Sequence, residues 1–253
     1  MTGALKVSDL TDAELAAHLA VVAGRIALKV RASGMLQGKA LGDAGDETAN
    51  AFLCNALRAA RPDDGLLSEE EKDNPVRLEK SRVWIVDPVD GTREFSEERS
   101  DWAVHVGLAI DGVAITGAVA LPDLNGGVVL HTGQAAPLGP AAEKSRFLVS
   151  RTRPAKEAVA VCEAMGGELV GMGSAGAKAM AVVRGEAEIY LHSGGQYEWD
   201  NCAPAAVAQA HGLHCSRIDG SPLRYNQADT YLPDLLICRP EYAEEVLALV
   251  AGL

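Results

Sequence analysis

A short apolar, β-branched and aromatic run, Val83 to Val86, passes straight into "DPVDGT", where Asp87 and Asp90 flank Pro88 and Val89 and Gly91 follows. Such a run suits a buried central strand. A carboxylate at the mouth of a buried strand is costly unless a positive group meets it, so the segment is either a cation site or an exposed turn. Asp, Pro and Gly are all turn formers, and on this motif alone the two readings stand level. In the first reading, ligands gather at the carboxyl ends of strands, Pro88 stiffens the link, and Gly91 lets the backbone approach closely. Two carboxylates so close repel unless a cation lies between them. The donors are oxygen only, with no adjacent His or Cys, which suits Mg²⁺ or Mn²⁺ over Zn²⁺.

The 253 residues, 48% hydrophobic, are enough for one large domain or two closely packed halves. A net charge of −12 argues against a nucleic-acid or anionic-membrane surface. It leaves a phosphorylated small molecule open, because a bound cation reverses the sign locally. Five scattered cysteines without a CxxC pair read as idle thiols in a reducing compartment. There is no signal-peptide pattern and no uninterrupted apolar run of spanning length, so the chain reads as soluble and cytoplasmic.

Thr11 to Glu14 forms a capping-box pattern, after which Leu15, Leu19, Val22, Ile26 and Val30 share a helical face. "GKALGDAGDE" reads as a glycine-rich lead into a second helix carrying Phe52, Leu53, Ala56 and Leu57. "GLLSEEE" reads as a short strand ending in acid, Asp111-Gly112 as the turn of a hairpin, and Gly127 to His131 as the next strand. "GQAAPLGPAAEK" is the best linker candidate, and the chain divides into residues 1–138 and 139–253 as halves of one compact unit. Beyond it strands and helices alternate: Phe147 to Ser150, a helix opened by Pro154, a helix over Ala175 to Arg184, Ala187 to His192, a helix over Asp200 to His211, Leu235 to Cys238, and a helix after Pro240. The pattern is an α/β-type layered protein with an antiparallel component in its first half.

Three further acids have bland default roles. Glu69 closes "LLSEEE", ordinarily a solvated loop; Asp200 in "EWD" and Asp46 in "DAGDE" are by default helix N-caps. Their order decides otherwise. From Asp46 to at least Gly212, "SEE", "WIVDPVDGT" and "EWD" before a small-residue helix resemble the inositol monophosphatase superfamily of metal-dependent, lithium-sensitive phosphatases. The wording "LSEE", "DPVDGTREF", "VSR" and "EWD" is most similar to the CysQ branch of 3′-phosphoadenosine 5′-phosphate phosphatases, in its actinobacterial members.

The resemblance implies a layered αβαβα sandwich with the active site between the halves, the first half carrying most metal ligands, and a homodimer. It implies two or three Mg²⁺ ions, replaceable by Mn²⁺, on Glu69, Asp87, Asp90, Asp200 and the Val89 carbonyl. Catalysis would fall to Glu69 and to Thr92 passing a proton toward Asp46, with divalent ions lowering the pKa of the attacking water and offsetting charge on the leaving oxygen. The backbone amides of Gly91 and Thr92 would hold phosphate oxygens. Ser150, Arg151 and Lys178 would meet the nucleotide and a second phosphate, and Glu198 a sugar hydroxyl; Arg93, directly after "DGT", adds a cation that would serve a second phosphate, though Arg93 and Arg153 read equally well as ordinary surface bases. His192 stands where such nucleotidases often carry arginine, and Arg153 where histidine is common, a pattern open to a compensating exchange. The implied reaction removes the 3′-phosphate of adenosine 3′,5′-bisphosphate, a by-product of sulfate activation, or of its sulfated form. Inositol 1-phosphate or fructose 1,6-bisphosphate, or relaxed specificity over all three, is the alternative. A non-catalytic divalent-ion-binding regulatory module would need the ligands but not Asp46 and Thr92 together, and both are present.

Overall fold

Two five-stranded sheets separate three helical layers in the computed structural model, which describes residues 7–253. Residues 1–6, where the sequence shows no signal-peptide pattern, lie outside the described residues. The first sheet has the order β1 (Gly65–Ser68), β2 (Arg82–Asp90), β3 (Ala103–Ile110), β4 (Val113–Leu121), β5 (Val128–His131). β1 runs parallel to β2, and the remaining pairs are antiparallel. The β3–β4 hairpin closes over two residues with positive φ, Asp111 at 49° and Gly112 at 77°, as the Asp-Gly signal requires. In the second sheet, β6 (Arg146–Ser150), β7 (Glu168–Met172), β8 (Ile189–Tyr197), β9 (His214–Ser216) and β10 (Tyr231–Cys238) take the order β7-β6-β8-β10-β9.

Helices α1 (Asp12–Ala32) and α2 (Gly38–Ala60) cover the outer face of the first sheet, and α3 (Thr92–Ser96) follows β2. α4 (Lys156–Ala164) lies outside the second sheet, α5 (Ala175–Val183) and α6 (Glu198–Ala210) lie between the sheets, and α7 (Pro240–Ala251) joins α4 outside. Three apolar clusters result. Along β2, Trp84 and Val86 face α1 and α2, while Val83 and Ile85 face α5 and α6. Burial on both faces explains why this strand reads as an unbroken apolar run. Among the described residues no helix is long and apolar enough to cross a membrane.

Five expectations shift on contact with the structure. The Thr11 capping box is present, but the buried stripe of α1 is Leu15, Ala16, Leu19, Ala20, Ala23 and Ala27, with Val22, Ile26 and Val30 only half buried. Small residues face the sheet because the helix lies close to it. The glycine-rich passage is no lead-in: α2 begins at Gly38, so Asp46 sits inside a helix rather than capping one. α6 begins at Glu198, which makes Asp200 its third residue. β8 continues past His192 to Tyr197, and Pro154 precedes α4 by two residues.

Candidate metal centre and active site

Residues three apart on an unbroken strand face opposite sides of the sheet. Asp87 and Asp90 escape this because β2 is bulged: Asp87 pairs with His105 and Asp90 with Ala103, three residues on one strand against two on the other. The extra residue turns both carboxylates to one place. With Asp200, brought over the sheet by α6, they place oxygens within 4.8 Å of one another. Glu69 follows β1 directly, its amide donating to Val86 O at 3.3 Å, and its carboxyl comes within hydrogen-bonding reach of Asp87. Asp200 also accepts from the Tyr197 amide at 2.6 Å. The four acids therefore meet at the carboxyl ends of β1 and β2, with Asp200 arriving from the other half.

Asp46 reaches the same place from α2. The Thr92 hydroxyl lies 2.9 Å from Asp46 Oδ2 and 3.2 Å from the Val89 carbonyl, and its one proton can go to either acceptor. This contact depends on glycines. A Cβ on Gly42 would lie 2.8 Å from Thr92 Cγ2, and one on Gly45 would lie 2.6 Å from Phe95 Cε1. Only bare backbone lets α2 come this close to α3. Gly91, at φ +90°, makes the left-handed turn that caps α3.

His105 is the residue the sequence reading missed. It is fully buried on β3, with Nδ1 2.9 Å from the Trp199 carbonyl and Nε2 3.1 Å from Asp90 Oδ2. A carbonyl only accepts, so Nδ1 carries a proton; the Asp90 carboxylate also asks for one on Nε2. Burial disfavours the imidazolium, but Asp90 and the Trp199 carbonyl outweigh it and raise the His105 pKa. Asp90 further accepts from the Ala175 and Gly176 amides, at 3.1 and 2.5 Å. Burial acts against its ionisation, yet His105, the Gly176 amide and Lys178 hold its pKa below the usual carboxylate range.

The other acids shift the opposite way. Burial, abetted by Glu70 and Glu69, pushes Asp46 up to about 8. Loss of hydration and the Asp200 charge raise Glu69 to about 7, even though its residue surface is exposed at the mouth. Burial and Asp90 take Asp200 to about 6, and burial with Glu69, Asp90 and Asp200 drives Asp87 well above its ordinary value. Protons are held here because acidic groups crowd in a place that solvates them poorly.

The inositol monophosphatase family profile matches residues 12–251. The chain belongs to that family. A Mycobacterium leprae family member named 3′-phosphoadenosine 5′-phosphate phosphatase is 50% identical over 96% of this chain and 94% of its own length. The Escherichia coli (strain K12) 3′(2′),5′-bisphosphate nucleotidase CysQ is 29% identical over 75% of this chain and 81% of its own. Among solved structures, inositol monophosphatase II of Staphylococcus aureus aligns with TM-score 0.75 at 21% identity, over 91% of this chain and 93% of that one. CysQ from Bacteroides thetaiotaomicron aligns with TM-score 0.73 at 23% identity, over 87% and 94%. These last two speak to the layered α/β sandwich alone.

The inositol monophosphatase family is metal-dependent, and this donor set suits a divalent cation. Asp87 Oδ1 and Asp46 Oδ1 are buried without a hydrogen-bond partner, and every donor in the cluster is a hard oxygen. The sequence candidates for substrate contact divide. Gly91 and Thr92 lie at the cluster. Lys178 is buried under it, donating to the Gly173 carbonyl and to Ser174 O at 2.7 Å, with burial bringing its pKa down to about 8. Arg151 reaches across to Glu94 Oε1 at 2.7 Å and Glu97 Oε2 at 3.2 Å, and Arg93 is paired with Glu97 at 2.9 Å. Ser150 accepts from the Arg153 amide at 3.3 Å. His192, which stands where the resemblance often places arginine, is half buried, and burial together with Lys178 lowers its pKa.

Glu198 is a correction. It is 0% exposed, and its two oxygens accept from the Asn226 and Gln227 amides at 2.6 and 2.7 Å. It brackets the 226–227 turn and presents nothing to a sugar hydroxyl. As the first residue of α6, its side chain turns toward amides that otherwise lack acceptors. No short-range signal marks that partner in the sequence. The same holds for His105, whose partners lie 15 and 94 residues away.

Proposed function

We propose that this chain is a Mg²⁺-dependent phosphomonoesterase that removes the 3′-phosphate of adenosine 3′,5′-bisphosphate. The observation that carries this reading is the convergence of Asp87, Asp90 and Asp200 beside the Thr92–Asp46 hydrogen bond. The name of the M. leprae relative, at 50% identity, supports the substrate. Glu69, Asp87, Asp90, Asp200 and the Val89 carbonyl would hold the ions, which supply Lewis-acid activation of water and neutralise charge on the phosphate and leaving oxygens. Residues 1–138 contribute all of these except Asp200, and we read 139–253 as the half that completes the site.

The chain's own groups do the rest. Thr92 takes a proton from the attacking water and hands its own to Asp46, whose proton affinity lies close to neutrality. The Gly91 and Thr92 amides orient phosphate oxygens. His105 and the Ala175 and Gly176 amides keep Asp90 ionised and fixed in direction.

One observation favours broader specificity. Arg93 and Arg151, which would serve a second phosphate, are already paired with Glu97 and Glu94. A bisphosphate must displace those carboxylates, whereas inositol 1-phosphate need not. Phosphate release with and without Mg²⁺, and kcat/KM for the adenosine bisphosphate, inositol 1-phosphate and fructose 1,6-bisphosphate on one preparation, test the reading. A preference for inositol phosphate above about tenfold, or ~1.4 kcal/mol of transition-state discrimination, overturns the substrate. Release that is indifferent to Mg²⁺ overturns the chemistry.

A further inference from the structure

Eleven aromatic residues serve the whole chain, and six of them, Trp84, Phe95, Trp102, Phe147, Tyr190 and Tyr225, are at most 1% exposed. Among the described residues only Tyr197 and Tyr231 have exposed rings, at 45% and 46%, and they lie against each other. Tyr197 stacks on Trp199 with ring centroids 4.9 Å apart and planes at 10°, and Tyr231 meets Tyr197 edge-on at 6.0 Å. A chain that buries most of its rings has left a layered aromatic surface open at one spot.

That spot adjoins the acidic cluster. The Tyr197 amide donates to Asp200 at 2.6 Å, and Trp199 precedes Asp200 directly while its carbonyl holds His105. The surface is also built. Tyr231 is the cross-strand partner of Tyr197, and the Glu198 amide ties the two strands by donating to Thr230 O at 2.9 Å. Gly194 and Gly195 take φ of +107° and +92°, and a Cβ on Gly195 would stand 2.7 Å from the Tyr231 ring. The "SGGQY" segment thus clears room for the outer ring. Rings already stacked on one another keep little mobility for a ligand to remove, and an exposed π-face accepts any planar heterocycle.

Resting on the function proposed above, we propose that Tyr197, backed by Trp199 and edged by Tyr231, is the platform on which the nucleotide's purine base stacks while its phosphate lies at the carboxylates. The platform selects nucleotides over phosphorylated polyols, which have no π-face. Removing one base–aromatic stack typically costs roughly 5- to 150-fold in affinity.

Two measurements on the full chain with Mg²⁺ test this. First, the ratio of kcat/KM for adenosine 3′,5′-bisphosphate over fructose 1,6-bisphosphate should fall about 10- to 100-fold in Tyr197→Ala, through KM, and recover within about twofold in Tyr197→Phe. An unchanged ratio, or a loss that Tyr197→Phe shares, overturns the platform. Second, adenosine 5′-phosphate should quench tryptophan emission in the wild type and quench it far less in Tyr197→Ala, while ribose 5-phosphate quenches neither. No quenching by the nucleotide in the wild type overturns the platform whatever the reaction. Nucleotide quenching that depends on Tyr197, in an enzyme that hydrolyses only base-free esters, upholds the platform and overturns the assigned reaction.

Discussion

Replacing Gly45 with alanine separates helix propensity from site geometry. In an ordinary helix interior the change stabilises by about 1 kcal/mol, because alanine restricts the unfolded chain and glycine does not. Here the new methyl would lie 2.6 Å from Phe95 Cε1 and 2.9 Å from Cζ. Carbon atoms rest at roughly 3.5–4.0 Å, so helix and ring must part by about 1 Å. The ring cannot yield easily: Phe95 is 0% exposed, edge-on to Trp102 at 5.0 Å, with the Arg31 guanidinium 5.3 Å from its centroid. Overpacking of this kind costs about 1–3 kcal/mol, which offsets the propensity gain and leaves a net loss of ~0–2 kcal/mol.

The larger effect falls on chemistry. Asp46 is the next residue on α2, and its 2.9 Å contact with Thr92 opens by a similar displacement. A misplacement of about 1 Å in a catalytic array costs on the order of 10²-fold. Urea unfolding and steady-state kinetics on the same preparation should show a small stability change beside a kcat reduced about 30- to 100-fold, with KM little altered. A Gly45→Ala variant about 1 kcal/mol more stable than wild type, with full kcat, refutes the argument that close α2–α3 packing places Asp46.

Other substitutions separate the roles of the cluster. Asp90→Asn should abolish nearly all phosphate release, whereas Thr92→Ala should leave a measurable remainder; equal, mild losses contradict the assignment. His105→Ala removes the cation from a buried carboxylate, so we expect about 3 kcal/mol lost in urea unfolding and weaker Mg²⁺ binding by calorimetry. Undiminished Mg²⁺ affinity would show that Asp90 needs no imidazole to hold its direction. Glu198→Gln loses one acceptor for the 226–227 amides and should cost about 1–3 kcal/mol of stability without raising KM; a KM effect alone would restore a sugar contact. Without divalent ions, Asp46, Glu69 and Asp200 bind protons more tightly folded, at about 8, 7 and 6, than unfolded. The folded state then carries more protons, so stability falls as pH rises from about 4 to 8. Thermal midpoints in chelator should decline over that window and recover at high pH with Mg²⁺; a flat profile in chelator contradicts the crowding of the acids.

What was legible in the sequence was local. The strand before Asp87, the Asp-Gly hairpin and the Thr11 cap each depend on neighbours within a few residues, and each took its expected form. The misread segments depend on what packs against them. "GKALGDAGDE" has poor helix propensity and reads as a lead-in, yet it is helical, with Gly42 and Gly45 against Thr92 and Phe95, a contact visible only across the fold. Asp200 and Asp46 read as caps for the same reason: a carboxylate near a helix start has a local use, and the sequence cannot show that a bulged strand has aimed two others at it. Even the bulge has a local trace, since Pro88 cannot donate to a ladder and so belongs at a break in pairing. Glu198 and Asp200, two residues apart on one helix, then divide by direction: the first side chain gives both oxygens to backbone amides and is consumed by structure, the second takes one amide, that of Tyr197, and otherwise faces the acids Asp87 and Asp90, which leaves it needing a cation. Spacing along the chain does not distinguish them. The count of donors available to each oxygen does.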